Sequence, residues 1–412
     1  SGNNTYSGGT VISAGTLQLG SGGNSGSITG NVANNGNLVF NRSDVYEFTG
    51  NVTGSGTLEQ KGSGTTALSG NNTYSGGTVI SAGTLQALSN SSFSSASSFT
   101  VNSGSILDAN GFNNTISSLN NKGLVATNDL GSSVGTELTI NGDYIGNNGI
   151  LVLNTVLNDD YSQTDKLIIN GNATGSTQLK IKNILGNGAQ TIDGIKIIET
   201  GSSEKNAFFI GNGGYIGAGA YDYGLFLENN NTDWYLKSHL RNDTPIYNPD
   251  VGSYLAVETM GNTLFTSRLE DREGASQYQN LGNKNEGNVW VRASGGHNKF
   301  KSMDGQLKTT GNSFVTQIGA GLVTLGEEDQ YNLGAMTGFA YYDGKTRSNL
   351  TDRESKTKID GYSLGLYGTW YAHPIEKRGA YIDSWVLWNK FNNKIDTPDQ
   401  NQYKYDSSGI TA

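Results

Sequence analysis

The stretch SGNNTYSGGTVISAGTLQ occupies residues 1–18 and returns unchanged at residues 69–86. Each copy joins two short apolar runs through glycine and serine; in the first copy these are Thr10-Val11-Ile12 and Gly15-Thr16-Leu17. Weaker echoes lie between the copies. Gly26-Ser27-Ile28, Gly36-Asn37-Leu38-Val39-Phe40 and Gly56-Thr57-Leu58 each set a glycine turn before a short apolar run. Such strands recur at roughly 10 to 20 residues, which suits the stacked rungs of a parallel β-helix. Asn and Gly accept the left-handed turns that the corners require. A β-sandwich also uses short strands, but it is not expected to repeat itself letter for letter.

Composition supports a β-rich chain. Of 412 residues, 59 are Gly, 4 are Pro and none is Cys, a poor mixture for a helical bundle or an ordinary α/β enzyme. Glycine does not fall at every third position, which excludes collagen. With 21 Tyr, 13 Phe and 5 Trp the chain is too aromatic for a disordered linker. The 27 basic and 36 acidic residues leave a net charge of −9 with no dense basic cluster, which disfavours nucleic acid as a partner. Without cysteine there is no disulfide scaffold, thiolate zinc site or thiol nucleophile. No apolar run is long enough for a spanning helix, yet a β-barrel strand needs only about 10 alternating residues. The polar start inside a repeat is no signal peptide, so the chain is expected to be a processed or excised fragment.

Four regions follow. Residues 1–134 form the repeat-bearing β-helix. Over 135–238 the strands are longer and denser, as in Ile150-Leu151-Val152-Leu153 and Lys166-Leu167-Ile168-Ile169, and they end in Trp234-Tyr235-Leu236. These three are expected to close a cap over the last rung. Residues 239–286 hold a polar linker at 239–250 and then a helix from Val251 to Arg272, with Asp250 as its N-cap. Val251, Tyr254, Leu255, Leu264, Phe265 and Leu269 follow helical spacing. A helix of that extent is about 33 Å long, near the thickness of a bilayer's hydrocarbon core. Its Glu258, Arg268, Glu270, Asp271 and Arg272 forbid a lipid-facing position.

Residues 287–412 switch to a period of two. In 360–372 the apolar face carries Tyr362, Leu364, Leu366 and Trp370, and Tyr362 with Trp370 look like the aromatic girdles of an outer-membrane strand. The two are about 26 Å apart along a strand, nearer 20 Å after a ~40° tilt. The opposite face is short of bulk at Gly319, Gly321, Gly334, Gly338, Gly361 and Gly365, which leaves room in a lumen for a helix about 10–12 Å wide.

At these residues the chain resembles the C-terminal half of a type Va autotransporter of the AIDA-like adhesin type. The repeated eighteen residues are similar to the passenger-associated transport repeat. GTELTINGDYIGNNGILVLNTVLNDDYSQTDKLIING through WYLKS resembles the pertactin-like end of passengers, often called the autochaperone. YNPDVGSYLAVETMGNTLFTSRLEDREG resembles the helix that sits in the translocation pore, and NVWVRASGG, QIGAGLVTLG and DGYSLGLYGTWYA resemble the first barrel strands. The resemblance implies a right-handed parallel β-helix passenger joined by one α-helix to the N-terminal part of an antiparallel transmembrane β-barrel, an all-β fold. It implies export and anchoring at the bacterial outer membrane, with lipid and the barrel-assembly machinery (BAM complex) as partners. A host-cell receptor for an adhesive passenger, itself displayed or secreted, is a further implied partner. It implies no catalytic residue, metal or cofactor. The family barrel has twelve strands, whereas five and the start of a sixth are visible here, so the barrel is expected to be truncated or completed by another protein's edge.

Sharper motifs are discounted. Gly361-Tyr362-Ser363-Leu364-Gly365 matches the G-x-S-x-G elbow but lies within a strand. Gly338 and Gly344-Lys345-Thr346 miss the phosphate-loop spacing by one residue, and Gly22-Gly23-Asn24 lacks the calcium-binding aspartate. Asp159, Asp160 and Asp165 suggest a turn, or the acid pair of a β-helix polysaccharide hydrolase, the alternative function. His239, His297 and His373 are expected in solvated loops.

Overall fold

A computed structural model describes residues 2–240, 242–273, 289–326, 330–372, 380–399 and 401–412. The chain forms two units, 1–246 and 247–412.

In the first unit the glycine-bounded apolar runs become strands of two to four residues, each paired in parallel with the strand one rung on. Asn37 pairs with Thr57 and Val45 with Thr65, twenty residues apart. Alternate side chains of these strands point inward, so Leu38, Phe40, Phe48, Leu58, Leu68 and Ile80 stack into one continuous core. At the corners, side-chain amides continue the ladder. Asn51 N donates to Asn31 Oδ1 at 2.9 Å, and Asn71 N to Asn51 Oδ1 at 2.8 Å. The same corner stacks Gly30, Gly50 and Gly70 so tightly that a Cβ on Gly50 would lie 2.0 Å from the Gly30 carbonyl oxygen.

The verbatim repeat is not the rung. Thr10–Ile12 of the first copy pairs with Val32–Asn34, whereas Thr78–Ile80 of the second copy pairs with the column that descends from Thr16–Leu19 through Asn37–Phe40 and Thr57–Gln60. The same letters therefore occupy different faces of the β-helix. Ile12 and Ile80 both point inward, because alternation fixes in and out but not which face a strand joins.

Rungs lengthen toward the end of the unit: Glu137 pairs with Lys166, twenty-nine residues on, and Leu167 with Ile198, thirty-one on. Pairing then turns antiparallel. Asp233–Lys237 adds to Ile195–Ser203 on one side and to Tyr221–Glu228 on the other. Within that last strand Trp234 and Leu236 are buried and Tyr235 is half-buried. The Trp234 ring meets Phe208 edge-on at 5.6 Å and donates from Nε1 to Ser203 Oγ at 3.0 Å; Phe208 in turn stacks on Tyr144 at 5.4 Å.

Residues 239–246 correct the expectation of a free linker. Ile246 is fully buried and its N–H donates to Ser238 O at 2.8 Å, so the segment folds back onto the cap. His239 is buried with it, whereas His297 is exposed and bonded to Asn312. His373 and residues 274–286 lie outside the described residues.

In the second unit, six strands form an antiparallel meander: β1 (Val289–Lys301), β2 (Leu307–Leu325), β3 (Gln330–Ser348), β4 (Glu354–Tyr371), β5 (Tyr381–Asp396) and β6 (Gln402–Thr411). Two helices precede them, α1 (Asp250–Thr263) and α2 (Leu269–Glu273).

The buried phenols of the β-helix set an alkaline limit. Tyr74 and Tyr144 are wholly enclosed, and burial pushes each phenol up to about 12. Their neutral form is favoured only in the folded state, so stability should hold up to about pH 10 and fall between 10 and 12 as the unfolded phenols ionise. The loss should be of order 2–3 kcal/mol per residue. Urea titrations across that range should show the fall in the native protein and a shallower one in Tyr74→Phe/Tyr144→Phe. Equal slopes would mean that other groups set the limit.

Candidate functional site

The inner face of the C-terminal sheet and the helices lying on it form the most elaborate side-chain constellation of the second unit. Strand alternation creates two unlike faces. Outward, Tyr331 on β3 stands opposite Trp370 on β4, and Phe339 stands opposite Tyr362, their rings 5.5 Å apart. Between these pairs the outer surface is Leu333, Ala335 and Thr337 on β3 and Leu364, Leu366 and Gly368 on β4, and Leu366 is 59% exposed. Beyond the Phe339–Tyr362 pair the outward residues become charged: Asp343, Lys345 and Arg347 on β3, Lys356 and Lys358 on β4, and Lys394 on β5, with Lys390 level with Tyr362. An apolar belt thus ends at a defined level. Among the described residues no helix is long and apolar enough to cross a membrane.

Inward, the glycines are not empty space, which corrects the expectation that they leave a helix-sized gap. Trp290 lies over Gly319, where a Cβ would come within 2.5 Å of its ring; Tyr367 lies over Gly334 at 2.2 Å; Phe391 lies over Gly361 at 2.8 Å. Each glycine stands directly across the ladder from the ring that covers it. Leu387 backs Gly365 in the same way, and Gly321 faces Gly334. A glycine opposite an aromatic lets the ring lie flat on the sheet. Gly338 and Gly361 also meet the segment after α1, whose Phe265 ring would touch a Cβ at either position at 3.1 Å.

The helix departs from the sequence expectation in three ways. Pro249 holds its N-cap position and Asn248 Oδ1, one residue earlier, accepts from Asp250 N at 2.9 Å, so Asp250 lies inside the first turn. It ends at Thr263, and its 14 residues span about 21 Å rather than 33 Å. Gly261, Asn262 and Thr263 are weak helix formers, and Phe265 leaves the helical path to stack on Phe391 at 5.8 Å; Leu264 is buried beside it, and Leu269 opens α2. The buried stripe is also different. Gly252, Ser253, Ala256, Val257 and Met260 face the sheet, Val251 is half-buried, and Tyr254 and Leu255 are exposed, Tyr254 stacking on Tyr405 at 6.2 Å.

Small residues are buried because the sheet presents hydroxyls there. Gly252 sits on Thr309 and Thr346, themselves bonded at 2.7 Å, and Ser253 Oγ donates to Ser355 Oγ at 2.9 Å. At the other end Arg272 pairs with Asp383, lies 4.8 Å over the Tyr367 ring and donates to Ser267 Oγ at 2.9 Å. Arg292 donates to Thr266 O at 2.7 Å and to Gln317 Oε1 at 3.0 Å, and pairs with Asp271 at 3.4 Å. Sequence reasoning missed this cluster. Arg272 and Asp383 are 111 residues apart, and nothing local to either marks the other.

The remaining motifs are structural in their contacts. Ser363 lies mid-strand on β4, buried and facing inward. Asp160 accepts from the N–H groups of Ile192 and Gly194, Asp165 from Thr136 and Asn154, and Asp159 from Tyr161, so these three carboxylates do not converge. Among the described residues no His, Asp and Glu side chains group to hold a metal ion.

Three family models match the chain: Autochaperone Domain Type 1 at 114–225, Autotransporter beta-domain at 289–412, and Passenger-associated-transport-repeat at 1–19 and 58–87. The uncharacterized protein YdeU of Escherichia coli K12 is 37% identical over 310 residues, covering 69% of this chain and 66% of that protein. The autotransporter adhesin AIDA-I of Escherichia coli is 35% identical over 293 residues, 69% of this chain and 23% of the adhesin. The crystal structure of the AIDA-I transport unit matches 40% of this chain and 50% of that one at 32% identity, with a TM-score of 0.35. The chain thus spans about two thirds of one curated relative and about a quarter of the other.

The seat of α1 is directly testable, because the chain has no cysteine of its own. Ser253→Cys with Ser355→Cys should oxidise to a disulfide, seen as a shift on a non-reducing gel. Closing so long a loop should stabilise the unit by about 4 kcal/mol. Failure to crosslink under oxidant in the folded protein would place the helix elsewhere.

Proposed function

The chain belongs to the autotransporter family, and from that premise we propose that it exports and anchors its own β-helix at the bacterial outer membrane, where the β-helix acts as an adhesin. The observation that carries the anchoring is the outward face of the C-terminal sheet, apolar between two levels of paired aromatics and charged beyond the Phe339–Tyr362 pair. A belt of this kind matches the height of a bilayer's hydrocarbon layer and is costly to leave in water. The inward face supports the transport role: its hydroxyls and its Arg272–Asp383 pair suit a chain segment held in a polar lumen rather than in lipid. Insertion by the barrel-assembly machinery is what the family implies for such a sheet.

For the β-helix, the supporting observation is its rung-by-rung pairing, in which each folded rung offers a template to the next. Folding outside the cell then helps to draw the chain outward without ATP. The cap built on Trp234, Tyr235 and Leu236 serves as the site where stacking begins or is sealed. Adhesion follows from the relatives' printed roles, and its receptor is a host-cell surface component. The hydrolase alternative lacks support, since the acids it requires are bound to backbone amides and do not face one another.

Two variants test the two halves. Leu366→Arg puts a charge at mid-belt and should cost about 2–4 kcal/mol of membrane stability, read as loss of the heat-resistant membrane form; Lys356→Arg, beyond the belt, should be silent. Trp234→Ala should remove about 3–5 kcal/mol from the cap and expose the displayed β-helix to protease on intact cells. Full display with unchanged protease resistance would remove the folding role. Cells displaying the native chain should adhere to host cells; display without adhesion would end the adhesin reading.

A further inference from the structure

Three consecutive corner loops of the β-helix connect the same two faces. They follow the strands Leu124–Ala126, Tyr144–Thr155 and Lys166–Asn183, which neighbour one another in the sheet. Stacked rungs set such loops about 4.8 Å apart. Each carries a large apolar side chain almost wholly in solvent: Leu130 at 89% exposure, Tyr161 at 94%, and Leu185 at 92%, with Ile192 at 78% in the third loop as well. Single exposed apolar residues need no explanation, but four of them on adjoining loops of one corner do.

The second and third loops are tied together. Gly188 N donates to Leu157 O and Asn187 N to Asn158 Oδ1, both at 2.9 Å, and the Asp160 carboxylate accepts from the amides of Ile192 and Gly194. Leu185 is held at φ +59°, and every other non-glycine residue with positive φ among the described residues is Asn or Asp. A leucine there is strained, and the strain keeps an apolar side chain at the tip of a turn where glycine would be easier.

Charge selects the occupant. Residues 127–136, 156–165 and 184–194 contain five aspartates and no Lys, Arg or His. Asp160 and Asp165 accept from backbone amides of other loops and Asp159 from the Tyr161 amide of its own turn, so Asp129, Asp159 and Asp193 are the carboxylates that stand beside the apolar tips. The neighbouring cation, Lys182, is turned onto the Asp129 carbonyl at 2.6 Å. A second copy of the same patch would oppose carboxylate to carboxylate, and an anionic lipid surface would be repelled.

We propose that this corner is the docking surface for a protein partner that presents apolar side chains flanked by lysine or arginine. The inference deepens the adhesin reading and rests on it for the partner's identity as a receptor. The hydrogen-bonded loops lower the ordering cost of binding, and the carboxylates steer the approach of a basic partner.

The test uses the full chain displayed on cells or held in detergent, with a synthetic amphipathic lysine–leucine peptide as the probe and its glutamate–leucine counterpart as the control. The lysine peptide should bind, the glutamate peptide should not, and binding should weaken at least about tenfold from about 50 to about 500 mM salt. Leu185→Gly/Tyr161→Ser should weaken it by a further factor of about ten. Its melting temperature should be unchanged or higher, because glycine suits the turn. Equal binding of both peptides, or unchanged binding by the variant, would overturn the proposal. So would phosphatidylcholine vesicle binding or dimerisation that the variant abolishes. If cells with the variant still adhere, the receptor face lies elsewhere and the proposal fails while the adhesin reading stands. If native cells do not adhere yet the peptide result holds, only the adhesin reading fails.

Discussion

A β-strand points its amides and carbonyls sideways, and everything in this chain follows from where those groups find partners. In the first unit the strands before the cap find their partners a full turn of chain away, in parallel, twenty residues on at first and about thirty near the cap. In the second unit the strands run to nineteen residues and pair with the next strand in sequence, antiparallel. The parallel arrangement makes every rung both a product and a template. The Asn31–Asn51–Asn71 ladder and the Gly30–Gly50–Gly70 contact belong to it, since only a rung of constant length brings the same corner over itself.

Once the ladder is fixed, the remaining freedom is which side chains occupy each face. The two units use it oppositely. The β-helix places Leu, Ile, Val and Phe inside and lets Asn, Ser and Thr face water. The C-terminal sheet places Leu and aromatics outside and fills its inner face with hydroxyls, glycines and rings laid over glycines. Trp290 over Gly319 and Phe391 over Gly361 keep that face shallow, and the first turns of α1 approach it with Gly252, Ser253 and Ala256 toward the sheet. A larger residue at Gly252 would strike Thr346, whose side chain lies 2.5 Å from the position of an added Cβ.

How much of this was legible in the sequence follows the range of the interactions. Period-two alternation over 360–372 depends on neighbouring residues and makes the two faces of β4 legible directly. The eighteen-residue repeat gave the strands and their inward positions but not their columns, because the distance between copies is not a whole number of rungs. The helix was over-extended because weighting Tyr254, Leu255 and Leu269 as core rewards size, whereas the sheet rewards smallness; its end depends on Phe391, far along the chain. His239 was taken for a solvated residue because the burial of Ile246 that encloses its segment has no local signature. Arg272 was legible as a charge but not as half of a pair with Asp383.

The change in rung length gives the β-helix a direction. Rungs of about twenty residues turn on tight Asn and Gly corners and bury few side chains each, so none is stable without a formed neighbour. The last rungs are longer, and the antiparallel strands of the cap are joined by short local connections, so the entropy of closing their contacts is smaller. Tyr144, Phe208 and Trp234 add an aromatic cluster that ties the last parallel rungs to the first antiparallel strand. An end that gains both local pairing and dense burial can form before its neighbours, and a parallel ladder grows only from a formed edge. Stacking is then favoured from the cap toward residue 1, the sense in which a chain held at its C-terminal side and emerging from a membrane would present its rungs.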